Sequence, residues 1–183
     1  MDIRKLLENF NDFSNQTPPN LLQRIGSRPP ETNIIMISCP DARTHPCILF
    51  NLTLGEVFNI RTIAAWVPEY KSTPPDDNIK SALSLALLKL PIQDIVILGH
   101  TNCVGMQCAY QHNMPKHDPM EAWSSGVAKQ LKDKSSLNPR SFLLNSYTNL
   151  LTNPMVAKQV NAGKIKCHAW CINFEQEKIE VYT

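Results

Sequence analysis

The sequence predicts an α/β fold: a single domain on a central, mostly parallel β-sheet flanked by helices, with an antiparallel C-terminal edge strand. Three observations point there. Residues 34–37 and 95–98 are apolar at every position, the pattern of strands buried on both faces of a helix-covered sheet. A Leu- and Ala-rich stretch over 79–90 lies between them, and a strand, helix, strand succession implies a right-handed crossover with parallel pairing. Two β-patterned segments near the end, 164–173 and 179–182, flank the turn-like Glu175-Gln176-Glu177-Lys178.

In chain order, Ile3, Leu6, Leu7, Phe10 and Phe13 fall at helical spacing and make one apolar stripe over residues 2–14. Such a stripe packs either on its own domain or on a second subunit. Thr17-Pro18-Pro19 stops it, and Arg28-Pro29-Pro30 breaks a second, short helix. Residues 1–30 thus read as a helical arm and 31–183 as the main domain. A strand is expected over 33–38, an irregular stretch from Arg43 through Asn51, and a second strand over 55–61 where apolar residues alternate. Pro68 and residues 73–78 form a loop ending in N-cap residues, before the helix that Pro91 terminates. A third strand over 94–99 is followed by helices over 104–112, 119–132 and 139–161, the last ended by Gly163.

Composition narrows the function. A chain of 183 residues, 43% hydrophobic, suffices for one well-packed core. Its net charge is only +2 and no Lys/Arg run is interleaved with aromatics, so nucleic acid is not expected as a partner. Charges stand in the first residues where a secretion signal has an apolar core, and no apolar run approaches the ~18 residues of a membrane span. The expectation is a cytoplasmic protein with no membrane partner. Its six cysteines then read as thiols, ligands or nucleophiles rather than disulfides.

The chemistry gathers behind two of the apolar runs. Cys39, Asp41 and Arg43 follow the first at alternating positions, so an extended backbone sends all three to one side. His100 and Cys103 follow the third strand. Ligands bind outside strand carboxyl ends in open α/β sheets. Two Cys and one His are the three-protein-ligand set of a catalytic zinc site, and thiolate with imidazole suits a borderline-soft ion. Cys103 would also open a helix, where the dipole favours thiolate. His-x-x-Cys alone is a weak signal; its pairing with Cys-x-Asp-x-Arg at another strand end is far more specific. Asp41 with Arg43 has a plainer reading as a structural ion pair, and Cys47, Cys108, Cys167 and Cys171 read as small buried or edge thiols. Alternation along 167–171 puts Cys167, Ala169 and Cys171 on one face and His168 on the other, which rules against a second metal site there. His45, His112 and His117 are proton-relay candidates that nothing in the spacing ranks.

These residues resemble the β-class carbonic anhydrases. The likeness runs through Cys39-Pro-Asp41-Ala-Arg43, residues 55–68 and Ile95-Val-Ile-Leu-Gly-His100-Thr-Asn-Cys103, and less sharply through 154–163 and the terminal strands. It implies zinc, Zn(2+), bound by Cys39, His100 and Cys103, with Asp41 and Arg43 as a catalytic dyad. The implied reaction is reversible hydration of carbon dioxide to bicarbonate by a zinc-bound hydroxide. Phe58 and Ile63 match positions lining the substrate pocket, to which Leu85, Val104 and Gly105 also belong. A homodimer or homotetramer is implied, its active site near the subunit interface. Several positions depart from the family pattern. Pro30 stands for a glutamine, Leu85 for a tyrosine, Ser84 for a glutamate, Val104 for a glycine, and Thr62 and Ala65 for asparagines. Two alternatives therefore stay open: a zinc hydrolase acting on carbonyl sulfide or carbon disulfide, and a non-catalytic zinc-binding homologue.

Overall fold

The computed structural model describes residues 2–28, 30–72, 77–111, 114–132 and 137–183. They fall into two compact units, Met1–Glu31 and Thr32–Thr183. The first holds α1 (Ile3–Gln16) and α2 (Leu21–Gly26). The Asp2 carboxylate accepts the Arg4 N–H and caps α1. Pro18 explains why α1 stops, since the residue before a proline is pushed out of the helical region; Thr17 there is extended. Every apolar residue of the α1 stripe, from Ile3 to Phe13, is exposed.

The second unit is built on one five-stranded sheet. Its elements in order are β1 (Ile34–Ser38), α3 (Pro46–Leu49), β2 (Phe58–Arg61), α4 (Asn78–Lys89), β3 (Asp94–His100), α5 (Val104–Gln111), α6 (Pro119–Gln130), α7 (Pro139–Leu150), α8 (Pro154–Asn161), β4 (Lys166–Asn173) and β5 (Lys178–Val181). The strand order is β2-β1-β3-β4-β5, parallel throughout except for the antiparallel β4–β5 pair. This is the expected class of fold. The continuous apolar runs have the expected cause: Ile35, Ile37, Ile95 and Ile97 pack on one face with Leu83, Ala86, Leu143 and Leu150, while Met36, Val96 and Leu98 pack on the other with Phe50 and Trp170. Cys167 and Cys171 belong to the first face. His168 points away and its Nε2 lies 2.8 Å from Asp94 Oδ1.

Several boundaries differ from expectation. The stretch after Arg43 is more regular than its sequence suggests: Ala42–Thr44 forms a 3₁₀ turn and α3 follows, with Pro46 at its first position, where a missing N–H costs nothing. β2 begins only at Phe58, because Gly55 takes a φ of 94° and turns the chain. Residues 139–161 make two helices. Apolar spacing runs across the join, but Pro154 has no N–H with which to continue α7, and the Asn153 side chain accepts the Met155 N–H and starts α8. Gly163 ends α8 at a φ of 66°, with Lys164 N–H bonded to the Gln159 carbonyl and Gly163 N–H to that of Val160. Asp77 caps α4, while residues 73–76 of the preceding loop and His112 lie outside the described residues. Among the described residues, no helix is long and apolar enough to cross a membrane.

Gly99, beside His100 on β3, lies against Leu143 of α7. A Cβ there would lie 2.6 Å from both methyls of Leu143, which is buried in the core. Gly99→Ala should therefore lower stability by about 1–3 kcal/mol, the usual cost of overpacking, measured by urea unfolding.

Candidate metal centre

Parallel pairing of β1 with β3 sets Ser38 opposite Leu98, so the next residues of both strands leave the sheet together at its carboxyl edge. Cys39 leaves β1, His100 ends β3, and Cys103 comes three residues later, just before α5. Their ligand atoms all lie within 4.8 Å of one another, and all three residues are buried. The two sulfurs are 3.9 Å apart.

His100 has its tautomer set. Its Nδ1 lies 2.9 Å from the Thr101 carbonyl oxygen, which only accepts, so Nδ1 carries the proton and Nε2 keeps its lone pair. That Nε2 is buried and has no hydrogen-bond partner. A buried nitrogen lone pair facing two thiols fits a thiophilic cation far better than it fits a dry core. The sulfurs agree. Cys39 is drawn well below the ordinary thiol range, chiefly by the Cys103 S–H, with the Asp41 and Ala64 backbone N–H groups adding to it against desolvation. Cys103 moves up, because the neighbouring Cys39 sulfur and burial both oppose a second negative charge. A pair of buried thiols that oppose each other's ionisation is an arrangement that a dication would complete. The Ala64 N–H reaches Cys39 from a backbone in the left-handed region, with a φ of 57°.

Asp41 stands over this group. Its Oδ2 is 3.9 Å from His100 Nε2. Arg43 grips the carboxylate in two places, Nε to Oδ1 at 3.0 Å and an Nη to Oδ2 at 2.7 Å, and its backbone N–H adds a bond of 2.9 Å. These bonds, the guanidinium foremost, hold the Asp41 carboxyl well below the usual carboxylate range despite some desolvation.

Comparison with known proteins gives this arrangement a family. The family described as "Carbonic anhydrase" matches over residues 34–179, a span that contains all five side chains. Relatives include beta carbonic anhydrase 6, mitochondrial, from Arabidopsis thaliana, 27% identical over 162 residues. The chain belongs to the β-class carbonic anhydrase family. That alignment takes in 80% of this chain and 55% of the relative, so the chain spans about half the length of that protein. Carbonic anhydrase 1 of Escherichia coli O157:H7 is 26% identical, over 98% of this chain and 88% of its own. The fold is shared with the β-carbonic anhydrase CcaA at a TM-score of 0.86 and 20% identity, over 99% of this chain and 95% of that one. It is shared also with a tetrameric β-carbonic anhydrase of Sordaria macrospora, at a TM-score of 0.79 and 20% identity over 97% and 95%.

Against this family background, the expected pocket residues divide. Ile63 packs with Cys39, Ala64 and Cys103. Gly105 lies directly against it, since a Cβ there would sit 2.5 Å from Ile63 Cγ2. Val104 is next in line but 64% exposed at the start of α5. Phe58 and Leu85 do not join the group within one chain. Phe58 pairs with Ile35 at the amino end of β2 and packs against the core cluster that holds Ile35. Leu85 is exposed on α4 and lines a separate open cavity with Lys71, Lys80, Ser84 and Met155.

Local pattern reading also passed over residues that hold the centre together. Thr44 is fully buried, and its hydroxyl lies 3.0 Å from the Cys39 carbonyl and 2.9 Å from that of Asp41. Arg61 donates to the Asp41 carbonyl at 2.8 Å. Thr101 fixes His100, and Phe174 follows β4 nearby. Thr44 offered a signal, a hydroxyl three residues beyond Asp41 where it can close a turn; the others act across strands and leave no local trace.

The low carboxyl pKa of Asp41 has a signed consequence. A group whose pKa is depressed on folding adds stability above its unfolded value, near 3.9, and loses it as pH falls through the folded one. In metal-free protein, the stability deficit of Asp41→Asn, measured by urea unfolding, should be constant from neutral pH down to about pH 5 and shrink below that.

Proposed function

We propose that the protein catalyses reversible hydration of carbon dioxide to bicarbonate, with zinc held by Cys39, His100 and Cys103. The observation that carries this reading is the buried, unpartnered Nε2 of His100, grouped within 4.8 Å of two thiols and with the Asp41 carboxylate 3.9 Å away. Bound zinc supplies a Lewis acid that brings the pKa of a coordinated water from ~15.7 towards ~7.

The chain's own residues do the rest. His100, held by Thr101, keeps its lone pair directed at the metal position. Asp41, ionised at any working pH, has carboxylate lone pairs with which to accept a hydrogen bond from the attacking water and orient it. Arg43 keeps Asp41 aimed and, by satisfying both oxygens, keeps the carboxylate from wandering. Ile63, Ala64 and the bare backbone of Gly105 make an apolar wall beside the sulfurs, suited to a small uncharged molecule that offers no strong hydrogen-bonding group. Cys39 and Cys103 as thiolates would offset the formal charge of a bound dication, which makes the hydrogen-bond acceptor at Asp41 more important than it would be beside three histidines.

We also infer assembly through copies of the same chain. Support comes from the exposed stripe Ile3, Leu6, Leu7, Phe10 and Phe13, an apolar face that a lone protomer leaves in water, and from the tetrameric relatives in Sordaria macrospora. Light scattering of the full chain should give a mass of two or four protomers, and Leu7→Glu with Phe10→Glu should lower it.

Zinc-loaded protein should hydrate carbon dioxide in stopped-flow assays, faster at alkaline than at neutral pH. Asp41→Asn should reduce kcat by roughly two orders of magnitude with zinc content unchanged. One zinc per chain without hydration would contradict the proposal.

A further inference from the structure

Phe174 sits just past β4, in the connection to β5, and its ring lies near two groups of the centre. The Arg43 guanidinium carbon is 5.1 Å from the ring centroid. The His100 imidazole centroid is 5.8 Å away, tilted by 57°. One aromatic ring thus touches both the imidazole of the candidate metal centre and the cation that grips Asp41.

The ring is well anchored. Phe174 N–H donates to Thr101 Oγ1 at 3.1 Å, and Thr101 is the residue whose carbonyl fixes His100. Thr101 N–H in turn bonds to the Ile172 carbonyl at 2.9 Å. Beyond the ring, Glu175 and Gln176 both donate their N–H groups to Asn173 Oδ1, which closes the turn. The Arg43 side chain, bonded to Asp41, is more open to water. It is 53% exposed, and an ion pair so open to water competes with hydration and with the entropy of a long side chain. The face of Phe174 gives the guanidinium a second, fixed surface, and cation–π contact is strongest where a planar cation lies over a ring.

We propose that Phe174 is a positioning residue: it holds the Arg43 guanidinium so that its two-point grip presents the Asp41 carboxylate to the metal position beside His100. The proposal rests on the roles given above to Asp41 and Arg43. Phe174 touches no reacting atom; it acts through Arg43.

The test uses the zinc-loaded full chain with Phe174→Leu, which keeps apolar bulk, Phe174→Tyr, which keeps the ring, Arg43→Ala, and the double variant Phe174→Leu with Arg43→Ala. Phe174→Leu should lower kcat two- to fivefold with KM and zinc content unchanged, Phe174→Tyr should restore it, and Phe174→Leu should add nothing once Arg43 is gone. A second readout needs no substrate. The Arg43 Nε–H resonance, identified by its loss in Arg43→Ala, should shift in Phe174→Leu and stay in place in Phe174→Tyr. An unmoved resonance, multiplying losses in the double variant, or loss of zinc in Phe174→Leu would each overturn the proposal. A zinc-loaded protein with no hydration at all would overturn the proposed reaction instead, and the resonance would then decide the case of Phe174 by itself.

Discussion

Everything at the candidate centre depends on the register in which β1 pairs with β3. The two strands run parallel with Ile34 opposite Asp94 and Ser38 opposite Leu98, so they release Cys39 and His100 at the same edge of the sheet. Side chains alternate along a strand, and a slip of one residue would turn Ile35, Ile37, Ile95 and Ile97 away from the core they share. The same slip would carry one ligand away from the other. Burial of these isoleucines therefore enforces the position of the site, and the chemistry inherits its precision from the core. Gly99 and Leu143 tighten that link, since Leu143 of α7 lies against the residue before His100.

A second constraint is charge. Two thiols and an imidazole are brought together out of water, where a second thiolate is opposed by the first, and the direction of the shifts at Cys39 and Cys103 reflects that conflict. The fold answers with backbone N–H groups at Asp41 and Ala64 and with those of Gly105 and Met106 at the start of α5. A bound cation would satisfy all three ligand atoms at once. Asp41 would be a further negative charge in this setting, and the Arg43 guanidinium offsets it within hydrogen-bond distance.

The sheet was legible in the sequence because the middles of β1 and β3, Ile35–Ile37 and Ile95–Leu98, are buried on both faces and are apolar throughout. The grouping of Cys39, His100 and Cys103 was legible for a related reason: ligand-type residues at the ends of two such strands have one edge at which to meet. The division of residues 139–161 was less visible, as apolar spacing continues across the join, although Asn153-Pro154 is a helix start written in plain residue chemistry. Within one chain Phe58 packs on the core through the register that pairs it with Ile35, and Leu85 is exposed on α4. Thr101, Arg61 and Phe174 were invisible to local pattern because each acts on a strand or turn distant in sequence, through contacts that exist only once β2, β3 and β4 are aligned.

The most direct test of the account is X-ray absorption at the zinc edge of the metal-loaded protein. The account predicts one zinc per chain bound by two sulfurs and one imidazole nitrogen, with zinc–sulfur distances near ~2.3 Å, and loss of one sulfur in Cys39→Ser or Cys103→Ser. A site with no sulfur ligand, or one unchanged by those substitutions, would contradict it.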